Sequence, residues 1–141
     1  MGRIYNEKDK YNENDIFSPE VLIILPVKGK DFEMSYNLKS LKEQSYSNFR
    51  TIAVADDDSL NILKEVGIEY IISDAPCTHC NGKVRAKYSA VLRFRNFQYY
   101  VIADSDIRAE RDWLEKIIRP LSKKDIGLST AFPKFYPDGG F

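Results

Sequence analysis

The sequence predicts an α/β fold with a mainly parallel sheet, and three observations carry that prediction. The run at residues 21–25 is continuously apolar, as in a strand that is buried on both faces of a parallel sheet. Short apolar runs then alternate with segments of helical periodicity, which favours strands joined by right-handed helical crossovers. Three of these runs are followed at once by turn or carboxylate residues, at the end of parallel strands where ligands bind.

Four strands are expected in the apolar runs at residues 21–25, 51–55, 68–72 and 99–103. A fifth apolar run covers residues 126–132 and is interrupted by Ser129 and Thr130. After the first strand, Met34, Leu38 and Leu41 recur at helical spacing behind Asp31, a candidate cap. This spacing predicts a helix between the first two strands.

Three further helices are expected. One follows Ser59 and stops before Gly67, and another is capped by Asp112 and Glu115 in an Asp-x-x-Glu variant of the capping box. The helix that begins after Asp112 is expected to end at Pro120-Leu121 or just before. The third of these helices lies along the chain between the other two and carries an apolar stripe formed by Val84, Tyr88, Val91 and Leu92.

Length and composition indicate one domain. The chain has 141 residues, 43% of them hydrophobic, which is enough for a single core. We expect a polar leader at residues 1–19 and one domain at residues 20–141 that is incomplete at its C-terminus, because the chain stops on a turn signal. The 21 basic and 21 acidic residues balance, so no global field favours nucleic acid as a partner.

The compartment is expected to be the cytoplasm, including the cytoplasmic face of a membrane. The longest apolar stretch, at residues 21–27, is much shorter than the roughly 20 residues of a membrane-spanning helix. Two cysteines do not make a disulfide framework, which agrees with a reducing compartment. The run Cys77-Thr78-His79-Cys80 supplies three candidate ligands for a tetrahedral zinc site, and Asp74 could be the fourth. Structural zinc sites usually draw on two separated ligand pairs, so a loop with reduced thiols is expected instead.

The candidate site residues follow the strands. Asp104-Ser105-Asp106 comes directly after the fourth apolar run, where two carboxylates suit a hard divalent cation or a ribose, and a simple turn is the alternative. Asp56-Asp57-Asp58 follows the second run and suits either a base or ribose hydroxyl or the cap of the next helix. Lys83 opens a helix behind Asn81-Gly82 and suits a phosphate, or is a solvated surface lysine.

These features, in this order, resemble a known family. The segments at residues 23–29, 40–41, 44–49 and 56–58 resemble the start of inverting GT-A glycosyltransferases of the glycosyltransferase family 2 superfamily. Asn81-Gly82-Lys83-Val84, residues 102–107, and Trp113-Leu114 ahead of residues 120–128 are similar to the ceramide glucosyltransferase-like branch. The resemblance covers residues 20–141 and implies a Rossmann-like GT-A fold that binds a nucleotide-diphospho-sugar.

The resemblance also implies roles and partners. Donor contacts fall on Pro26, Asp56, Asp57, Lys83 and Asp104, and a divalent metal, Mg²⁺ or Mn²⁺, falls on Asp106 and Asp104. The donor implied is a UDP-sugar and the acceptor a lipid or a glycan. The family's later general base and its downstream Gln-x-x-Arg-Trp motif do not occur in the sequence. Catalysis by this chain alone is therefore expected to be incomplete.

Two other functions stay open at this stage. One is a non-catalytic or split nucleotide-sugar-binding module that needs a second chain carrying the acceptor half. The other is a nucleotidyltransferase, which is disfavoured because no glycine-rich phosphate loop follows the first strand.

Overall fold

The structure, a computed structural model, describes residues 17–29, 33–55, 60–132 and 134. It confirms the α/β prediction, with one all-parallel sheet of four strands in the order β3-β2-β1-β4. The strands are β1 (Val21–Val27), β2 (Phe49–Ala55), β3 (Glu69–Ile72) and β4 (Tyr99–Ile102). The helices are α1 (Met34–Lys42), α2 (Leu60–Val66), α3 (Gly82–Arg93) and α4 (Trp113–Ile118), and a 3₁₀ turn covers Arg119–Ser122.

Strand β1 is one of the two inner strands of the sheet, and all seven of its residues are buried, as the apolar run predicts. Its side chains alternate between two faces. Val21, Ile23 and Leu25 belong to the core that α1, α2 and α4 cover. Leu22 and Ile24 face the opposite core, which α3 covers. The sheet is therefore the middle layer between two layers of helices.

The order in which the chain adds strands to the sheet changes side between β3 and β4, although all four strands stay parallel. Strands β1, β2 and β3 lie side by side in sequence order, whereas β4 returns to the other side of β1. Because such crossovers are right-handed, this change of side places α1 and α2 on one face and α3 on the other. The gap between the carboxyl ends of β1 and β4 is therefore a topological switch point, where open α/β sheets bind ligands.

Helices α1 and α2 agree with the sequence patterns. Met34, Leu38 and Leu41 are fully buried, and Gly67 follows α2 with a φ of +70°, the left-handed geometry of a helix end. Glu33 is the residue that precedes α1, and the candidate cap Asp31 lies outside the described residues, as does Ser59.

Helix α3 forms as expected, but its apolar stripe is not the face that it buries. Val84, Tyr88 and Val91 are exposed, and the buried positions are the small residues Ala86, Ser89 and Ala90. Small side chains allow the helix to lie close against the sheet, so the larger ones of the stripe are left on the outside.

The predicted capping box of α4 does not form. Asp112 precedes the helix with φ −101° and ψ 11°, outside the extended region that caps prefer, and makes no side-chain bond to a helix N–H. Its carboxylate instead pairs with Lys116 at 3.0 Å. The helix ends at Ile118, just before Pro120, as predicted.

The fifth apolar run forms no strand. Residues 126–132 have no regular secondary structure, and Leu128 and Phe132 are 83% and 91% exposed. A strand needs a hydrogen-bonded neighbour, and no strand of the sheet in the described residues pairs with this run. Among the described helices, none is long and apolar enough to span a bilayer.

Candidate functional site

Pro26 marks the point where β1 and β4 separate. The N–H of Val21 faces β2, since it donates to Asn48, and the carbonyl of Ile24 faces β4, since it accepts from the N–H of Ala103 at 3.1 Å. Even-numbered residues of β1 therefore point their backbone groups toward β4. Pro26 has no N–H to donate on that side, so the ladder ends there without losing a bond. The chain after Ala103 is thereby released from the sheet.

Asp104-Ser105-Asp106 occupies the position released in this way. The last paired residues of the two strands are Ile24 and Ile102, so Pro26 and Asp104 each lie two residues beyond the final pair. The triplet forms a turn, in which the N–H of Ile107 donates to the carbonyl of Asp104 at 3.4 Å. Both aspartates are exposed. Two carboxylates therefore project from the switch point.

Helix α1 is hydrogen-bonded to this turn through Asn37. The side chain of Asn37 is buried at 5% exposure, and its Nδ2 donates to the carbonyl of Ser105 at 3.3 Å. A buried amide needs a partner, and here that partner is the peptide between the two carboxylates. Asn37 therefore fixes the position of the Asp104-Ser105-Asp106 turn relative to α1.

Two more polar residues of α1 continue this attachment. Ser40 Oγ accepts from the N–H of Ala109 at 2.9 Å. Gln44 donates to the carbonyl of Glu110 at 3.0 Å and accepts from the N–H of Leu114 at 2.8 Å. Asn37, Ser40 and Gln44 thus form a polar row along α1, which we call the α1 row, that holds most of the chain from Ser105 to α4.

Lys83 reaches the same place from the other face of the sheet. Asn81 caps α3 by accepting from the N–H of Val84 at 2.9 Å, which fixes the first turn of the helix. Lys83 Nζ then contacts Asp104 Oδ1 at 3.1 Å, with the two side chains 67% and 50% exposed. An exposed ion pair contributes little stability, about 0.2–1 kcal/mol. A ligand with a stronger negative charge can therefore displace Asp104 from Lys83 at small cost.

The structure thus brings together Pro26, Lys83, Asp104 and Asp106 among the predicted site residues. Asp56 and Asp57 lie outside the described residues, and so does Asp58. Strand β2, which they follow, is the neighbour of β1 on the side away from β4 and ends level with it at Ala55.

The chemistry of the donor set fits a divalent metal that arrives with a phosphate ligand. In the described part of the chain, no group of three or more His, Cys, Asp or Glu side chains is arranged to hold a metal by itself. Mg²⁺ is usually held by one or two carboxylates, with substrate phosphates and waters completing its octahedron. Asp104 and Asp106 supply such a partial set of hard oxygen ligands.

The prediction of reduced thiols is wrong in this structure, because Cys77 and Cys80 form a disulfide. The N–H of Cys77 turns back to the carbonyl of Ala75 at 2.8 Å, and α3 begins soon afterwards. The two Cα atoms are consequently 5.7 Å apart, a separation that a disulfide bridges readily. Both sulfurs are occupied in this bond, which leaves no thiolate for zinc.

Sequence reasoning missed the α1 row. Ser40 and Gln44 entered only as part of a resemblance, and Asn37 was assigned no role. A signal was present: residues 37, 40 and 44 repeat at helical spacing beside the apolar positions 34, 38 and 41. Polar side chains that flank a buried stripe in this way lie at its border, where they meet the backbone of a neighbouring segment.

Comparison with known proteins gives one family. The model of the family described as "Glycosyl transferase family 21" matches residues 2–141, which is nearly the whole chain. No curated protein matches the sequence.

Proposed function

The chain belongs to glycosyl transferase family 21 and is therefore a glycosyltransferase, and we propose that it transfers a sugar from a nucleotide-diphospho-sugar to a lipid or glycan acceptor. The donor proposed is a UDP-sugar, bound with a divalent metal at the switch point between β1 and β4. The proposal includes a GT-A fold of the ceramide glucosyltransferase-like branch. The observation that carries it is the contact between Lys83 and Asp104 at 3.1 Å, which joins a basic group and a carboxylate turn at one edge of the sheet.

A diphosphate has the charge that this edge is suited to bind. Its negative charge is matched by the ammonium group of Lys83 and by the positive end of the α3 dipole. Asp104 and Asp106 would hold a Mg²⁺ or Mn²⁺ ion whose remaining ligands include phosphate oxygens. The proposal assigns contacts with the base and ribose to Pro26 and to Asp56 and Asp57, the last two of which lie outside the described residues.

The bond that breaks joins the anomeric carbon of the sugar to the diphosphate. An acceptor hydroxyl attacks this carbon from the face opposite the diphosphate, which inverts its configuration, and the hydroxyl proton passes to solvent or to a base that the described residues do not supply. When bound, the metal supplies positive charge that stabilises the departing diphosphate. Lys83 donates to the same oxygens, and its contribution grows as negative charge develops on them. The α1 row keeps the carboxylate turn fixed so that little rearrangement is needed during the reaction.

The experiment follows UDP binding by the shift in melting temperature, with UDP, GDP and ADP compared in the presence and absence of Mn²⁺. We expect UDP to stabilise the protein only with metal. Lys83→Met removes a charged hydrogen bond and should weaken UDP binding about tenfold or more. Lys87→Met is the matched control, since it removes the same charge one turn further along α3 and should leave UDP binding unchanged.

Release of UDP from a UDP-sugar then separates catalysis from binding. UDP release that depends on Mn²⁺ and on an acceptor supports the transferase. Binding without release would instead favour the second candidate, a nucleotide-sugar-binding module that works with a second chain. Equal binding of all three nucleotides, or binding that Lys83→Met leaves intact, would contradict the proposed site.

A further inference from the structure

The loop between β3 and α3 contains the disulfide between Cys77 and Cys80, with only Thr78 and His79 between the two cysteines. We propose that this disulfide is a redox-active site, which a dithiol reductant opens and which loosens the first turn of α3 when it opens. The consequence for UDP affinity rests on the function proposed above. The redox chemistry and the change in α3 do not.

The ends of the loop are held in place without the disulfide. Ser89 Oγ on α3 accepts from the N–H groups of Asp74 and Ala75 at 3.1 and 2.9 Å. Arg85 Nε donates to the carbonyl of Ala75 at 3.0 Å, and Arg93 forms an ion pair with Asp74. These contacts fasten the end of β3 to α3 directly. Reduction of the disulfide therefore leaves the fold intact, and its effects are limited to the short segment from Pro76 to Cys80 and to the first turn of α3 that follows it.

The disulfide closes a very short ring. A disulfide stabilises a protein mainly by restricting the unfolded chain, and this effect grows with the length of the closed loop. Here the two cysteines are only three positions apart. The bond consequently adds little to global stability, and a structural staple is a poor explanation for its presence.

The disulfide also lies outside the buried core. Cys77 and Cys80 are half-buried, and Thr78 and His79 are exposed between them. Exposed disulfides are the labile ones, whereas buried structural disulfides resist reduction. Cys80 directly precedes Asn81, the cap of the 12-residue helix α3. The partial positive charge of a helix N-terminus stabilises a thiolate nearby, which favours the reduced form.

The exchange balances with a dithiol as co-reactant. One thiolate of the reductant attacks a sulfur of the bridge, which forms a mixed disulfide and releases the other cysteine as a thiolate that takes a proton from water. The second thiol of the reductant then attacks the mixed disulfide and releases the remaining cysteine. Two electrons and two protons pass to Cys77 and Cys80, and the reductant leaves as its own disulfide.

The disulfide is coupled to α3 through Asn81. In the oxidised protein, Cys80 is tied to Cys77, so the backbone that enters Asn81 is constrained. Asn81 in turn holds the first turn through the N–H of Val84, and its carbonyl accepts from the N–H of Arg85 at 3.0 Å. Opening the bridge frees the residue next to the cap, so these bonds break more often. Lys83 lies in this turn and contacts Asp104 from it.

The test begins with thiol counting in the folded protein. The chain is purified in air, treated with iodoacetamide before or after incubation with dithiothreitol, and measured by mass. We expect no alkylated cysteine before reduction and two afterwards, with the melting transition retained. Two accessible thiols without reductant, or a bridge that opens only in denaturant, would overturn the proposal.

Hydrogen exchange measures the coupling. Amides in the first turn of α3, at residues 84–86, should exchange about fivefold faster after reduction, as expected for partial loss of a helix cap. The double variant Cys77→Ser/Cys80→Ser should behave like the reduced protein and ignore dithiothreitol. Amides of α1 serve as the internal control and should not change. Equal exchange of residues 84–86 in both states would also overturn the proposal.

Titration with UDP and Mn²⁺ forms a separate arm. The reduced protein should bind UDP with lower affinity than the oxidised protein, whereas the double variant should show one affinity in both conditions. If neither state binds UDP, the proposed function fails, and the alkylation and exchange results still decide the redox site. Equal UDP affinity in the two states would refute the link between the disulfide and Lys83.

Discussion

Replacing Asn37 with alanine should destabilise the protein and weaken its metal-dependent nucleotide binding at the same time. The Asn37 side chain is buried, and its Nδ2 is bonded to the carbonyl of Ser105 at 3.3 Å. Removing the donor leaves a part-buried carbonyl unsatisfied, which costs about 1–3 kcal/mol. For a chain of this size, each kcal/mol lowers the melting temperature by roughly 4 °C. We therefore expect Asn37→Ala to melt about 4–12 °C below the wild type.

Asn48→Ala is the matched control for this experiment. Asn48 also donates from Nδ2 to a backbone carbonyl, that of Ser18 at 2.9 Å, but it is exposed and lies just before β2 at the other end of the sheet. Its loss should change stability by about 0.5 kcal/mol or less. Thermal melts and UDP titrations with Mn²⁺ are measured on both variants. Normal UDP affinity in a destabilised Asn37→Ala protein would refute the claim that Asn37 positions the carboxylate turn.

Three further predictions test the packing and the pH dependence. Leu22→Ala, at a fully buried position of β1 under α3, should lower the free energy of unfolding by about 2–5 kcal/mol in urea denaturation, and a loss below 1 kcal/mol would contradict the core assignment. Ala86→Leu should cost about 1–3 kcal/mol in the same assay because α3 lies close on the sheet there, and a stabilised variant would show that space remains. Burial raises the pKa of Tyr46 above its usual 10.0, while a bond with Ser18 lowers it. The unfolded phenol ionises first, so its stabilising contribution is complete below pH 10 and is lost as pH rises through the folded pKa. Thermal melts from pH 8 to 11 should therefore show a smaller alkaline loss of stability in Tyr46→Phe than in the wild type, and parallel curves would contradict this.

The fold was predictable from the sequence wherever one residue pattern had one structural meaning. The run at residues 21–25 has no polar position, so it fits only an element buried all round, and β1 is that element. The pattern of α3 was ambiguous, because an apolar stripe and a row of small residues compete for the sheet. Ala86 and Ala90 face the sheet because small side chains allow closer packing, an effect that a count of hydrophobic residues does not capture.

The site was predictable to the level of which segments meet, but not of which atoms do. Parallel strands place their carboxyl ends at one edge, so the residues that follow the first, second and fourth apolar runs were expected to share that edge. The contact between Lys83 and Asp104 depends on the crossover of α3 to the other face, which no local pattern contains. The disulfide and the bond from Asn37 to Ser105 were missed for the same reason: each depends on a backbone turn or a register across elements.

The most direct test of the central claim is calorimetric titration of UDP into the wild type and into Asp106→Asn, each with and without Mn²⁺. Glu65→Gln is the matched control, since it neutralises an exposed carboxylate near the end of α2. The account predicts binding by the wild type and by Glu65→Gln only in the presence of Mn²⁺, and loss of that binding in Asp106→Asn. Metal-dependent binding that survives in Asp106→Asn, or no UDP binding by the wild type with Mn²⁺, would contradict a donor site at this edge of the sheet.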